Sequence, residues 1–134
     1  MADTNPPRPT DAEIEILKVL WRRGASTVRE VFDALGEVKT TGYTTVLKTM
    51  QIMSEKGLVT RDETERAHRY EAAFAEELTQ RQMVGDLLRR VFDGSAKKLV
   101  LQALDAGKAS PEELAEIRKL LDTHSGRKSG GGSR

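Results

Sequence analysis

Polar side chains suited to nucleic-acid contact are grouped at Tyr43, Thr44, Thr45 and Lys48. Threonine hydroxyls bond to phosphates or base edges and their methyl groups contact thymine, while a lysine ammonium donates to guanine or phosphate. If the segment is helical, spacings of three and four residues place Thr44, Thr45 and Lys48 on one face. Each residue is also common on an ordinary solvated helix, so the group indicates DNA contact only within a suitable fold.

A second basic group, Arg66, His68 and Arg69, follows the polar segment 63–65. On an extended ribbon these side chains would lie along a phosphate backbone or a minor groove. The two arginines are also suited simply to protecting an edge strand from aggregation. Ser26 and Thr27 precede an apolar stripe of helical period, where we expect one of them to cap the helix and both to contact DNA phosphates.

Catalytic and metal-binding chemistry has little support in this composition. The chain has no cysteine, which excludes disulfides, thiolate metal sites and a cysteine nucleophile. Its two histidines are His68 and His124, far apart in sequence, and no glycine-rich phosphate loop is present. We therefore expect no enzyme, no metal and no cofactor.

Three helices and a β-ribbon are predicted for the first half of the chain. Residues 10–13 form a capping box, Thr-Asp-Ala-Glu, that begins the first helix, and helices over 27–35 and 42–56 follow. Period-two segments at 58–62 and 66–72 predict two strands around a turn at 63–65. Met50 and Met53 fall on the apolar side of the third helix and are assigned to the core. A mainly α fold with a small β-ribbon in this order is typical of a winged helix-turn-helix.

Bulk charge does not favour a nucleic-acid partner. Residues 1–72 contain 11 Lys and Arg against 12 Asp and Glu, and residues 73–124 contain 8 against 9. DNA binding therefore requires basic groups gathered on one face, with the acidic groups elsewhere. The alternative is a winged helix used for protein–protein contact without DNA, which an acidic outer face on the third helix would favour.

Three further amphipathic helices are predicted at 75–92, from Ser95 to Gly107, and from Ser110 onward. Their apolar stripes are too thin to bury much surface within one chain, and a second copy would cover them by an isologous contact. The stripes give the predicted dimerisation residues Leu87, Leu88, Val91, Phe92, Leu99, Val100, Leu114, Ile117, Leu120 and Leu121.

The predicted organisation is a disordered N-terminal arm (1–9), a winged-helix DNA-binding domain (10–73), a helical dimerisation domain (74–124) and a flexible tail (125–134). No apolar run approaches the ~18 residues of a membrane span, and the N-terminus has no signal-peptide core. We expect a cytoplasmic protein without direct membrane association.

The ordered motifs of the chain resemble the penicillinase-repressor (BlaI/MecI) family of winged-helix transcriptional regulators. The most specific are Tyr-Thr-Thr-Val-Leu at 43–47, Glu-Lys-Gly-Leu-Val at 55–59 and Arg-Ala-His-Arg-Tyr at 66–70. The resemblance extends over about residues 9–122. It implies a homodimer that binds palindromic operator DNA and represses nearby genes, in the best-known members those for β-lactamase or a resistant penicillin-binding protein. It also implies a membrane sensor peptidase as partner.

Carried over by position, residues Tyr43, Thr44, Thr45 and Lys48 fall in the recognition helix of the family, and Arg66 and Arg69 in its wing. Ile52 stands where many members have arginine. Repression in the family is relieved by disruption or proteolysis of the dimerisation region, and the cleavage region maps near Gln102 and Ala103. These residues differ from the Asn-Phe pair associated with cleavage, and the absence of cysteine argues against the copper sensing of a related branch.

Overall fold

A computed structural model of the chain describes the backbone of residues 6–36 and 41–131 and the side chains up to residue 125. It divides into two compact units, Met1–Leu87 and Leu88–Arg134. The fold is mainly α with a small sheet, as predicted. The elements in order are α1 (Asp11–Arg23), β1 (Ser26–Thr27), α2 (Val28–Leu35), α3 (Tyr43–Lys56), β2 (Val59–Asp62), β3 (Arg69–Ala72), α4 (Glu76–Val91), α5 (Ala96–Ala106) and α6 (Pro111–Gly131).

Capping boxes begin both α1 and α2. The Thr10 hydroxyl accepts a hydrogen bond from the Glu13 amide at 3.2 Å, and the Glu13 carboxylate accepts one from the Thr10 amide at 2.9 Å. Thr27 and Glu30 repeat this reciprocal pair at 3.1 and 2.9 Å. Each box satisfies two amides that the helix leaves unbonded, which fixes where the helix begins. α3 ends at Gly57, whose left-handed φ of 87° suits glycine.

The sheet has three antiparallel strands in the order β1-β3-β2, one more than the sequence predicted. The additional strand β1 pairs Ser26 with Tyr70. The returning strand was predicted from residue 66, but β3 begins at Arg69, which pairs with Asp62 of β2. Because that pairing is only four residues long, residues 63–68 form a loop, and we call this loop the wing.

The core of the first unit lies between α1, α2, α3 and the sheet. Met50 and Met53 are completely buried, as the sequence predicted, and Tyr70 extends from β3 into the same cluster. The Trp21 indole packs at its edge and donates a hydrogen bond to the Phe74 carbonyl at 3.0 Å. The buried cluster comprises Ile16, Leu17, Val19, Leu20, Val28, Val31, Val46, Met50, Met53, Leu58, Val59 and Tyr70.

Residues 6–9 belong to the arm that was predicted to be disordered, but they make defined contacts. Pro6 is buried, and its carbonyl accepts a hydrogen bond from Gln82 of α4 at 2.6 Å. Arg8 forms an ion pair with Asp86 at 2.7 Å. The division between the two compact units falls inside α4, after Leu87, whereas the sequence predicted a domain boundary at 73/74. Residues 1–5 of the predicted arm lie outside the described residues.

The second unit contains the end of α4 together with α5 and α6. Ser95 caps α5 through the Lys98 amide at 3.1 Å, and Ser110 accepts from the Glu113 amide at 3.0 Å, both at the predicted helix starts. No side chain between residues 88 and 125 is buried. α6 continues to Gly131, whereas the sequence predicted a flexible tail from residue 125. Within the described residues, every helix is too short or too polar to traverse a lipid bilayer.

Candidate nucleic-acid interface

The solvent-facing side of α3 carries the residues that were predicted to contact DNA. Thr44, Thr45 and Lys48 are exposed, while Val46 and Met50 on the opposite side are buried. The α-helical period brings these exposed positions onto one surface of the helix. We call this surface the outer face of α3, and it consists of Thr44, Thr45, Lys48, Gln51, Ile52 and Glu55.

Tyr43 stands beside this face rather than in it. Its ring is 40% exposed and meets the Phe32 ring of α2 edge-on, with centroids 5.7 Å apart. Edge-to-face aromatic pairs add stabilisation beyond that given by the apolar area they bury. The ring therefore links the two helices of the helix-turn-helix at the beginning of α3, where a phenolic hydroxyl can reach a phosphate.

The beginning of α3 differs from that of α1 and α2 because no side chain among the described residues, 6–36 and 41–125, caps it. Its N-cap is Gly42, and the first hydrogen bond of the helix runs from the Val46 amide to the Gly42 carbonyl at 3.2 Å. The amides of Tyr43, Thr44 and Thr45 come before that bond. Uncapped amides and the positive end of the helix dipole together favour an anion such as phosphate.

Several basic side chains of the first unit are neutralised by acidic neighbours. Lys56 pairs with Glu13 at 2.7 Å, and Arg61 pairs with Glu63. Within residues 6–36 and 41–131, Lys48 forms no ion pair, and the same holds for Arg66. Ion pairing thus neutralises some of the basic side chains locally, and it leaves Lys48 and Arg66 available to a phosphate.

The three residues predicted to contact DNA in or beside the wing are all exposed. Arg66 and His68 are exposed in the loop. Arg69, at the start of β3, has its guanidinium 3.3 Å from Glu30 of α2 and 3.9 Å from Glu65. The Thr27 amide and the charge of Arg69 hold the pKa of Glu30 below its usual value, although its slight desolvation opposes them. Arg69 thus ties the wing to α2, and its charge is partly compensated.

Two polar groups stiffen the ribbon on either side of the wing. The Thr64 amide donates to the Asp62 carboxylate at 3.0 Å, which lowers the pKa of Asp62 and closes a local turn. A hydrogen bond with Tyr70 raises the pKa of Arg61, so this guanidinium stays charged. Such bonds between a carboxylate and a backbone amide are typical of tight turns and orient the loop that follows.

Ser26, which was predicted to contact a DNA phosphate, is buried in the structure. Ser26 is only 1% exposed, and its hydroxyl donates to the Gly24 carbonyl at 2.9 Å. Pairing of β1 with β3 draws this side chain inward, an interaction that the local sequence does not indicate. Thr27 is half-buried and is the N-cap residue of α2, and its hydroxyl oxygen accepts a hydrogen bond from the Glu30 amide.

The predicted dimerisation residues split into exposed and half-buried groups. The exposed members include Val91, Leu120 and Leu121, each at least 60% exposed, together with Leu87, Val100 and Leu114. The others, Leu88, Phe92, Leu99 and Ile117, are half-buried. Leu101 and Leu104 of α5 are also exposed, although they are not among the residues predicted for dimerisation. Gln102 and Ala103, the predicted cleavage region, are exposed and helical within α5.

Titratable side chains do not gather into a metal site in the part of the chain that is described. Among residues 6–36 and 41–131, no three His, Cys, Asp or Glu side chains stand close enough to hold an ion. His68 lies in the wing and His124 near the end of α6, so the two histidines belong to different compact units.

Three helices, a β-ribbon and an exposed polar face on the third helix define a winged helix-turn-helix protein. The sequence profile of the penicillinase repressor family matches residues 9–123. The chain belongs to that family of transcriptional repressors, which confirms both the resemblance seen in its motifs and the prediction that it is not an enzyme.

Individual relatives are similar over most of the chain. The penicillinase repressor of Bacillus licheniformis is 26% identical over 122 residues, covering 91% of this chain and 95% of the relative. The transcriptional regulator BlaI of Mycobacterium tuberculosis is 30% identical over 113 residues, covering 83% and 80%. The solution structure of the DNA-binding domain of the repressor BlaI matches 55% of this chain and 90% of its own, with 24% identity and a TM-score of 0.49.

Proposed function

We propose that this protein is a homodimeric, sequence-specific DNA-binding transcriptional repressor. The observation that carries the proposal is the outer face of α3, where Thr44, Thr45 and Lys48 are exposed on a helix whose opposite side is buried. A major groove admits one α-helix, and hydroxyl and ammonium groups match its base edges and phosphates. The uncapped start of α3 supplies backbone amides for a phosphate at the same end.

Repression acts by occlusion of the operator. Two copies of the first unit insert their α3 helices into successive major grooves about 34 Å apart, one helical turn along the duplex. The wing adds Arg66 and His68 beside the backbone, and Arg69 orients the wing through Glu30. The acidic Glu55 lies in the last turn of α3, so the part of the helix favourable to DNA runs from Tyr43 to Ile52.

Dimerisation falls to the second unit because several of its apolar side chains are exposed in the part of that unit that the structure describes. A second copy of α5 and α6 would bury Val100, Leu114, Leu120 and Leu121, all of which are exposed in one chain. Joining two DNA-binding units in this way strengthens operator binding by about 10²–10⁴-fold. Loss of the dimer would therefore release DNA without any change in α3.

Family membership supports the proposal that the regulated genes belong to the β-lactamase, antibiotic-resistance or related stress classes. It also supports a membrane sensor peptidase as a partner. Repression would be relieved by disruption or proteolysis of the dimerisation region. Gln102 and Ala103 lie inside α5, in regular helix. Cleavage there would require local opening of that helix, because a protease acts on the opened form of a segment.

The test uses DNA selected from a random-sequence library by the purified full-length protein, titrated over a range of salt concentrations. Lys48→Ala and Arg66→Ala should each weaken binding and flatten the salt dependence by about one phosphate contact. Lys18→Ala removes the same charge from α1, where it pairs with Glu15 at 3.4 Å, and should leave the slope unchanged. Equal slopes for all four proteins would contradict the assigned contacts.

The second candidate function is protein–protein contact through the winged helix without DNA. The specific observation in its favour is Glu55, an acidic residue on the outer face of α3, in a unit without net positive charge. A protein with this function would select no sequence from the random library, whereas a repressor would select a palindromic one.

A further inference from the structure

Ile52 is an exposed aliphatic side chain in the part of the first unit before α4, which otherwise covers most of its large apolar residues. Before α4, within residues 6–36 and 41–75, the large hydrophobic side chains that are exposed are Tyr43 at 40% and Ile52 at 42%. Both belong to α3, and Tyr43 packs its ring on Phe32. The exposure of Ile52 is therefore a local property of the outer face of α3, not of a generally apolar surface.

Ile52 lies on the same side of α3 as Lys48 and Thr45, so all three side chains would face the same ligand. Ile52 follows Lys48 by four residues and Thr45 by seven, spacings that return to one side of an α-helix. Its neighbour Met53 is completely buried, so the two side chains leave the helix in different directions. Along the axis, Ile52 lies about 6 Å, roughly one turn, beyond Lys48.

The chemistry of Ile52 restricts what it can recognise in a major groove. An isoleucine side chain has no hydrogen-bond donor or acceptor, so the polar atoms of guanine, cytosine and adenine cannot bond to it. The apolar feature that ordinary base pairs display in this groove is the C5-methyl group of thymine. Removing that methyl and the isoleucine from water together is favourable and distinguishes thymine from the other bases.

We propose that Ile52 is a specificity-determining residue that selects a thymine in each half-site by contact with its C5-methyl group. The proposal rests on the proposed function, because it requires the outer face of α3 to enter a major groove. Burial of one methyl-sized group changes affinity by about fourfold, so two half-sites give about 15-fold for the dimer.

The experiment uses the full-length protein and the DNA it selects from a random-sequence library. That DNA is resynthesised with deoxyuridine in place of each thymine in turn, in both half-sites, which removes only the methyl group. The wild-type protein should lose about 15-fold in affinity at one symmetric pair of thymines. Ile52→Ala should bind the thymine and uracil forms of that position equally, and Ile52→Val should show an intermediate difference.

Two controls separate Ile52 from its neighbours and from effects on folding. Thr45→Ala also removes a methyl group from the outer face, and this variant should keep the sensitivity at the position assigned to Ile52. Alanine is the best helix former, and Ile52 is exposed, so Ile52→Ala should melt at the temperature of the wild type or slightly above it.

The possible outcomes distinguish the two proposals. A selected sequence whose binding is insensitive to every methyl removal, or whose sensitivity persists unchanged in Ile52→Ala, overturns the role of Ile52 and leaves the repressor function standing. Failure to select any sequence overturns the repressor function and the role of Ile52 with it. Sensitivity abolished by Ile52→Ala and retained by Thr45→Ala supports the proposal.

Discussion

The two compact units of this chain treat their apolar side chains in opposite ways. In the first unit, residues from α1, α2, α3 and the sheet meet in one cluster, where Leu17 and Met50 are at most 2% exposed. In the described part of the second unit, residues 88–131 with side chains to 125, no residue is buried, and Leu120 and Leu121 are 66% and 60% exposed. Both units nonetheless have regular helices with caps and apolar stripes.

The difference shows that helix formation and core formation have separate requirements. Ser95 and Ser110 begin α5 and α6 as effectively as Thr10 begins α1, because a cap depends on residues only three positions apart. A core requires several elements to converge, and two amphipathic helices offer too little surface for it. The first unit should therefore fold as one chain, and the second should depend on another copy.

The largest expected effect comes from charging the exposed stripe of α6. Leu120→Glu with Leu121→Glu would place two carboxylates in the proposed contact between copies, where burial of an unpaired charge is strongly unfavourable. The protein should become a monomer by analytical ultracentrifugation and lose about 10²–10⁴-fold in operator affinity. The melting of the first unit should be unchanged.

Lys119→Glu is the matched control, since it changes charge on the same helix without touching the two leucines. It should remain dimeric. A double variant that is still a dimer at micromolar concentration, or that binds operator as tightly as the wild type, would refute the comparison between self-sufficient and partner-dependent units.

A smaller effect on the free energy of unfolding is expected when one leucine side chain is shortened to alanine in each unit. Leu17→Ala removes a leucine side chain that is 2% exposed and should lower the free energy of unfolding of the first unit by about 2–5 kcal/mol. This loss should be independent of protein concentration. Leu101→Ala removes the same atoms from a residue that is 52% exposed in one chain, and its effect should appear only in the concentration-dependent part of unfolding.

Thermal melts over a hundredfold range of protein concentration measure both the concentration-independent and the concentration-dependent loss of stability. Equal, concentration-independent losses in Leu17→Ala and Leu101→Ala would mean that the second unit has a core of its own. Such a result would break the contrast between the units more directly than any change in operator binding.

Local features of this fold were predictable from sequence, and features that depend on distant residues were not. The capping box at Thr10 and Glu13 and the buried pair Met50 and Met53 follow from spacings within one helix. Strand β1 escaped prediction because two residues carry no period, and its partner Tyr70 lies far along the chain. Ser26 was accordingly placed on the surface although it is buried.

The same limit explains what could and could not be predicted of the candidate site. Thr44, Thr45 and Lys48 were placed correctly on the exposed side of α3, because helical period alone decides which side faces the core. The ion pair of Arg69 with Glu30 joins the wing to α2 across a large sequence separation, so sequence alone could not show that this arginine is compensated.

The smallest expected effect concerns the buried carboxylate of Glu13 in the first unit. Glu13 is 4% exposed, and its carboxylate accepts hydrogen bonds from Lys56 at 2.7 Å and from the Thr10 amide at 2.9 Å. Burial raises the pKa of Glu13, but the bonds from Lys56 and Thr10 outweigh it, so the pKa lies below its ordinary value. The stabilisation is therefore complete above the pKa of an unfolded glutamate, about 4.3, and is lost as pH falls through the lower folded value.

Glu13→Gln should lower the free energy of unfolding by about 1–2 kcal/mol at pH 7, and the difference between the two proteins should shrink as pH falls below the pKa of an unfolded glutamate, about 4.3. Glu15→Gln removes an exposed carboxylate from the same helix, whose pair with Lys18 at 3.4 Å contributes little, so its curve should follow the wild type. Urea unfolding of the monomeric Leu120→Glu/Leu121→Glu background isolates the first unit. If the difference between Glu13→Gln and its parent were the same at pH 3 and pH 7, the buried pair would not be a source of pH-dependent stability, and apolar packing alone would distinguish the two units.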